Sequence, residues 1–512
     1  MLKVRSPWDK GQDGIVIDVE CHVSNGLPGI TIVGSANRAV DESKERLRSA
    51  FASCKLPLPR KRIIINLAPA DIPKESTSFD LAVAVAILLA SEQLVLTPDK
   101  TMGFIGEIGL DGTIRPVRGI LGKLLAGKKA GITTFAIPKD NLDQAMLIPN
   151  INIIPLHDLN QLVAHFASPT RDERIVHTGS GTIVATQRPA RQTDTLLDDI
   201  IGQDRAKRAI EIASAGGHNI LLNGPPGTGK SMLAKAMSGI LPKMNHQEIV
   251  EVTHLQSLAG TDYDQIITER PFRSPHHSAS HAAVVGGGHN LRPGEITLSH
   301  RGILFFDELP EFGRMTIESL RQPLEDRKIT IARAKETTTY PANFILVTTS
   351  NPCPCGYFGT NKPCRCQQFE IQRYRRKLSG PILDRIDLYS EVDEVEHEKL
   401  LSSNTSSTEQ TTNAQARVKA ARDVQMKRYS NQTKLNADMT NRDIKKYGEL
   451  SEEAKSLLDQ AAKKLDISAR SYMRTVKVAR TIADLESSAT ILKSHIGEAL
   501  QYRSHNYQNQ EA

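Results

Sequence analysis

Along the first 165 residues the apolar positions come in short runs with two different periods. Gly14-Ile-Val-Ile-Asp-Val-Glu-Cys-His-Val alternates as a half-buried strand must, and Gly29-Ile-Thr-Ile-Val repeats the pattern. Ala39 to Phe51 spaces its apolar residues helically among charges. Arg62-Ile-Ile-Ile-Asn-Leu is a further strand, and Asp80-Leu-Ala-Val-Ala-Val-Ala-Ile-Leu-Leu-Ala is apolar all round, which predicts a buried helix. Strands and helices in that alternation predict a sheet with helices packed on it. Farther on, Asn219-Ile-Leu-Leu, Gly302-Ile303-Leu-Phe-Phe306 and Asn343-Phe-Ile-Leu-Val-Thr-Thr-Ser350 are continuous apolar runs, the mark of parallel strands buried on both faces. Near the C-terminus, Glu453 to Ala462 and Arg470 to Leu485 have helical spacing and predict a small all-helical domain.

Two stretches break these patterns. Residues 167–194 are rich in Ser, Thr, Gly, Arg and Gln and read as a linker. Ser402 to Gln415 is poor in apolar residues and reads as a disordered segment or surface loop. The expected organisation is therefore an α/β domain over 1–166, a linker over 167–194, a core over 195–395, a helical domain over 396–503 and a flexible tail over 504–512.

The densest chemistry lies at Asn223. A short apolar strand leads into Gly224-Pro225-Pro226-Gly227-Thr228-Gly229-Lys230-Ser231, and a helical pattern follows. Strand, Gly-x4-Gly-Lys-Ser, then helix is the context of a phosphate-binding loop. Its glycines let backbone N–H groups curl around phosphate oxygens. Lys230 supplies charge at the outer phosphates and Ser231 a hydroxyl for Mg2+, while the helix N-terminus adds partial positive charge. The run ending Phe306-Asp307-Glu308 delivers two acids at the end of a buried strand. Asp307 is then the expected second Mg2+ ligand and Glu308 the group that polarises the attacking water. These residues predict binding and hydrolysis of a nucleoside triphosphate.

Composition adds bounds. A chain of 512 residues suits about three domains. No apolar run approaches the length of a membrane span, and the opening Met1-Leu-Lys-Val-Arg-Ser lacks the apolar segment of a signal peptide, so a cytoplasmic protein is expected. A net charge of +7 is compatible with nucleic acid without demonstrating it. Cys21 and Cys54 stand alone. Cys353-x-Cys355, eight residues, then Cys364-x-Cys366 can close a tetrahedral Zn2+ site, although the spacing within each pair is tighter than usual; a metal-free reduced cluster is the alternative. His276, His277 and His281 lack a completing ligand set and read as a structural or DNA-facing loop. Basic positions Arg333 and Lys335, on a hairpin pattern, and Arg373, Arg375 and Arg376 are candidate backbone contacts to DNA; solvated surface charge is the other reading.

Several segments carry resemblances. Asn351 at the end of its strand resembles the first sensor of AAA+ ATPases. Leu378 to Leu388 resembles that family's arginine-finger segment, which implies that Arg385 acts on a neighbouring subunit and hence an oligomer. Ser468-Ala-Arg470 resembles the second sensor, with Arg474 as the alternative. Pro271 to Ser278, Arg292 to His300 and Asp307-Glu-Leu-Pro-Glu-Phe resemble the magnesium-chelatase-like branch. Pro73 to Leu81 and Gly106 to Val117 resemble the proteolytic domain of Lon proteases. There Ser78 falls on the catalytic serine, but Leu121 occupies the lysine position, with Lys123 two residues away, so an inactive domain is expected. The combination resembles the bacterial YifB/ComM family. That resemblance implies an AAA+ core with a parallel sheet, a helical lid and a Lon-like α/β domain. It further implies a homo-hexameric helicase driving branch migration on single-stranded, duplex or branched DNA during natural transformation, with recombination proteins as possible partners. A motor remodelling a protein partner and an ATP-dependent peptidase are the alternatives.

Overall fold

The computed structural model describes residues 3–10, 13–34, 38–70, 74, 76–94, 101–168, 174–179, 195–259, 265–288, 291–332, 337–395 and 409–503. The chain divides into two compact units, Met1–Gln187 with Ile249–Ile267, and Arg188–Glu248 with Thr268–Ala512.

The first unit is built on an eight-stranded mixed sheet. Its order is Val176–His177, Asn152–Leu156, Thr134–Pro138, Met102–Phe104, Lys3–Lys10, Asp13–Ser24, Arg62–Ala68 and Gly29–Val33. The all-apolar helix Asp80–Ala90 is buried along nearly its whole length, as its pattern predicts. Trp8 packs edge-on against Phe79, just ahead of that helix, with ring centroids 6.2 Å apart. The next residue, Asp9, receives Lys123 from the helix Ile120–Lys129 at 2.5 Å. Successive side chains of a strand point to opposite faces, so the sheet separates these two helices.

Two sequence boundaries differ from expectation here. Residues 174–179 fall inside the expected linker, yet Val176 and His177 pair antiparallel with Ile153 and Asn152. Ile249–Ile267, expected within the core, groups with the first unit. The glycines Gly119 and Gly122 make room for it, since a Cβ at Gly122 would meet the His254 ring at 2.3 Å and one at Gly119 would meet Leu258 at 3.0 Å.

The second unit contains a five-stranded parallel sheet in the order Phe272–Arg273, Ile303–Phe306, Ile345–Ser350, Ile220–Asn223, Leu388–Glu391. The three apolar runs seen in the sequence are its central strands. The helices Asp204–Gly216, Glu409–Tyr429 and Ala469–Leu485 share one core, to which Ile210, Ala213, Val418, Ala421, Val476 and Ile482 all belong. Glu409–Gln415, expected to be loose, begins the second of these helices. Asp198 accounts for it: its carboxylate accepts the backbone N–H groups of Gln410 at 3.0 Å and Thr411 at 3.1 Å, satisfying donors that a helix start leaves free.

Candidate nucleotide site

The strand Ile220–Asn223 delivers the loop 224–229 at its C-terminal end, and the helix Lys230–Ile240 carries it away. Gly224 has no alternative, because a Cβ there would lie 2.1 Å from the Val392 carbonyl oxygen. Gly227 and Gly229 adopt φ of 82° and 87°, and nothing stands within 4 Å of where their Cβ atoms would be. The loop is thus an open backbone cradle at a helix N-terminus, the form a polyphosphate needs. Thr228 Oγ1 closes the turn by donating to the Pro225 carbonyl at 3.0 Å.

Lys230 is buried and donates to the carbonyls of Gly224 at 2.6 Å and Pro225 at 2.7 Å, and to Asn351 Oδ1 at 3.1 Å. Burial pushes its ammonium down to about 8, against the pull of Asp307 and Glu308. Ser231 Oγ donates to Asp307 at 3.1 Å. A hydroxyl and a carboxylate converging at the foot of a phosphate cradle suit Mg2+. Asn351 Nδ2 donates to Glu308 Oε1 at 3.0 Å, so one amide connects the cradle lysine to the acid. Glu308 has φ of 53°, a backbone state uncommon outside glycine and often found where function fixes it.

Thr349 escaped the sequence reading. It donates to Asp307 Oδ1 at 2.7 Å and accepts the Glu308 N–H at 2.7 Å, holding both acids. Its one sequence signal is a hydroxyl within an apolar strand, which needs a partner once buried; the sheet order decides that the partner is this pair of acids.

Arg385 and Arg470 lie elsewhere. Asn219 Nδ2 donates to the Arg385 carbonyl at 3.0 Å, which puts Arg385 at the start of the strand whose other end is the cradle. Arg385 pairs with Glu325, and Arg470 reaches the same carboxylate at 2.8 Å. Both line a cavity of about 790 Å³ with Asp387, Arg474 and Lys477. Arg474, the alternative second sensor, pairs with Asp387 at 3.5 Å. Neither arginine is gathered to Lys230 of its own chain.

Three family descriptions match the chain. "Magnesium chelatase, subunit ChlI" covers residues 196–400, "Subunit ChlI of Mg-chelatase" covers 19–141, and "Magnesium chelatase, subunit ChlI C-terminal" covers 408–503. "Uncharacterized protein YifB" of Escherichia coli is 42% identical over 489 residues, 95% of this chain and 94% of that protein. "Competence protein ComM" of Haemophilus influenzae is 40% identical over 514 residues, 98% of this chain and 97% of that protein. The chain belongs to the YifB/ComM family. "Lon protease 2" of Herpetosiphon aurantiacus is 28% identical over 181 residues, 33% of this chain and 22% of that protein. The fold is that of an AAA+ core with a helical C-terminal region and partial likeness to Lon.

In this family member the four cysteines come together. Cys353 Sγ lies 3.4 Å from Cys355 Sγ and 3.7 Å from Cys364 Sγ, and Cys355 to Cys364 is 3.6 Å. With Cys366 they form the one group among the described residues able to hold a metal ion through three or more His, Cys or acidic ligands. His276 and His277 stack on each other at 4.1 Å, and His281 opens a separate short helix. Of the basic positions, Arg373 and Arg376 are exposed on and just after the helix Gln368–Arg375, while Arg375 is half-buried over the Phe358 ring at 5.6 Å. The hairpin Lys328–Ala332 with Thr337–Pro341 forms as its sequence predicts, but Arg333 and Lys335 lie outside the described residues.

Ser78 Oγ is buried and hydrogen-bonded to Ser76 Oγ at 2.7 Å. Leu121 is fully buried, and Lys123 is held by Asp9 across the sheet from Ser78. The substitute lysine is therefore spent on a structural ion pair.

Proposed function

We propose that this chain is an ATP-driven DNA translocase of the helicase kind, acting in the cytoplasm as a ring of identical subunits, six by family analogy, during recombination of incoming DNA. The observation that carries the ATPase part is the Asn351 amide bridging Lys230 and Glu308 beside the Ser231–Asp307 pair. Mg2+ would neutralise phosphate charge at Ser231 and Asp307. The loop N–H groups and Lys230 would seat the phosphates. Glu308 would orient a water and take its proton on the carboxylate, with Asn351 fixing the acid and Thr349 holding the strand ends in register. Zn2+ at the four cysteines belongs to the same reading.

Support for DNA is of two kinds. A relative matched over nearly its whole length is named a competence protein, and Arg373 and Arg376 are exposed beside the cysteine cluster. Contacts of this kind would be to phosphates, independent of base sequence and weakened by salt. Remodelling of a protein partner is the second reading, favoured by the magnesium-chelatase description of all three matched families.

ATP turnover measured with single-stranded, duplex and forked DNA at low salt separates them. Stimulation by at least one DNA, lost as salt rises, is expected. Absence of both stimulation and binding overturns the translocase reading. Glu308→Gln should retain nucleotide while turnover falls about a hundredfold or more.

A further inference from the structure

The cysteine cluster touches the nucleotide site itself. Asn351 directly follows the strand Ile345–Ser350, and the chain turns at once into Cys353-Pro-Cys355-Gly356. Gly356, with φ of 85°, lies directly against the second proline of the phosphate loop, since a Cβ on it would fall 2.6 Å from Pro226 Cδ and 3.1 Å from Pro226 Cγ. The knuckle is therefore packed on the cradle on one side and continuous with Asn351 on the other.

The sulfur geometry is that of a metal site. A tetrahedral Zn–S4 centre with bonds of about 2.3 Å has S···S edges of about 3.8 Å. The separations among Cys353, Cys355 and Cys364 are 3.4, 3.6 and 3.7 Å, and all four Sγ atoms lie within 4.8 Å of one another. A disulfide would need about 2.05 Å. Backbone N–H groups already point at sulfur: Cys355 N donates to Cys366 Sγ at 3.4 Å, and Phe358 N donates to Cys353 Sγ at 3.3 Å. Such donors favour thiolate charge and fix the ligands' orientation.

We propose that Cys353, Cys355, Cys364 and Cys366 form a Zn2+ thiolate knuckle that braces the phosphate loop through the Gly356–Pro226 contact, so that metal occupancy sets nucleotide affinity. This rests on reading 224–231 as the ATP site. Without the metal, four mutually repelling or protonated sulfurs no longer hold Gly356 in place, and both Pro226 and Asn351 lose their support.

The test uses the full-length protein purified under reducing conditions. Elemental analysis should give one zinc per chain. Stripping the metal with a chelator should weaken binding of a fluorescent ATP analogue about tenfold, and adding Zn2+ back should restore it. Cys364→Ser should lose both metal and affinity. Gly356→Ala should keep its zinc and still bind nucleotide weakly, because the contact is disturbed and the ligands are not. A metal-free native protein overturns the site, and metal removal with unchanged affinity overturns the coupling. Lys230→Ala distinguishes these from a wrong site assignment: if it binds ATP normally, 224–231 is not the nucleotide site, whatever the zinc content.

Discussion

Arg385 and Arg470 end on one carboxylate, Glu325, although 85 residues of sequence separate them. Both sit where the strand Ile220–Asn223 begins, and the phosphate cradle sits where it ends. At about 3.3 Å per residue, the run from Asn219 to Gly224 spans roughly 16 Å, more than either side chain can bridge. In the proposed ring, two guanidiniums at the far end of their own sheet would serve a neighbouring subunit's cradle. Arg385→Ala and Arg470→Ala should each reduce turnover, Arg385→Ala by about a thousandfold. Mixing either variant with Lys230→Ala, itself inactive, should restore part of the phosphate release, since some interfaces then pair an intact cradle with intact arginines. If the mixtures stay as inactive as their components, the two arginines do not act across subunits.

The burial of Lys230 implies a pH dependence with a definite sign. Its pKa is lowered to about 8 by burial, so the free site loses its ammonium as pH rises through that value. Phosphate binding requires the charged form and must then take up a proton. Nucleotide affinity should be flat below about pH 7 and fall by up to about tenfold per unit above pH 8. Titrations of binding from about pH 6.5 to 9.5 measure this slope, with Lys230→Arg as the control. An arginine stays charged throughout, so that variant should bind without the decline. A wild-type affinity constant to about pH 9.5 contradicts the assignment.

What could be read in advance was local. The cradle, Asp307, Glu308 and Asn351 each stand at the end of an apolar run, where strand and motif together define the position. Thr349 was hidden because its meaning depends on which strand lies next to it, and only the pairing of Ile303–Phe306 with Ile345–Ser350 supplies that. The helix at Glu409 was hidden because its stabilising acid, Asp198, is more than two hundred residues away in sequence. Arg470 resembles a second-sensor residue by its motif, with Arg474 as the alternative, but the motif does not locate it, since which end of the sheet it lies at is set by the packing of Ala469–Leu485. The assignment of Ile249–Ile267 likewise depended on two glycines, Gly119 and Gly122, whose missing side chains say nothing until a helix is laid against them.

The Lon-like unit tests whether a retained serine means a retained activity. Ser78 faces one side of the sheet and Lys123 the other, because Trp8 and Asp9 are consecutive residues that meet Phe79 and Lys123 respectively. Ser78→Ala should therefore leave ATP turnover unchanged, and the native chain should not cleave an unfolded protein substrate with or without ATP. Lys123 should instead matter to stability. Its side chain is 5% exposed and that of Asp9 9%, so removing the cation strands a buried carboxylate. Lys123→Met should cost about 3–5 kcal/mol in denaturant unfolding, and adding Asp9→Leu should recover most of it, since a buried pair replaced on both sides is often neutral. Peptidase activity lost in Ser78→Ala, or a Lys123→Met protein as stable as the parent, would show that the lysine is not the structural anchor described here.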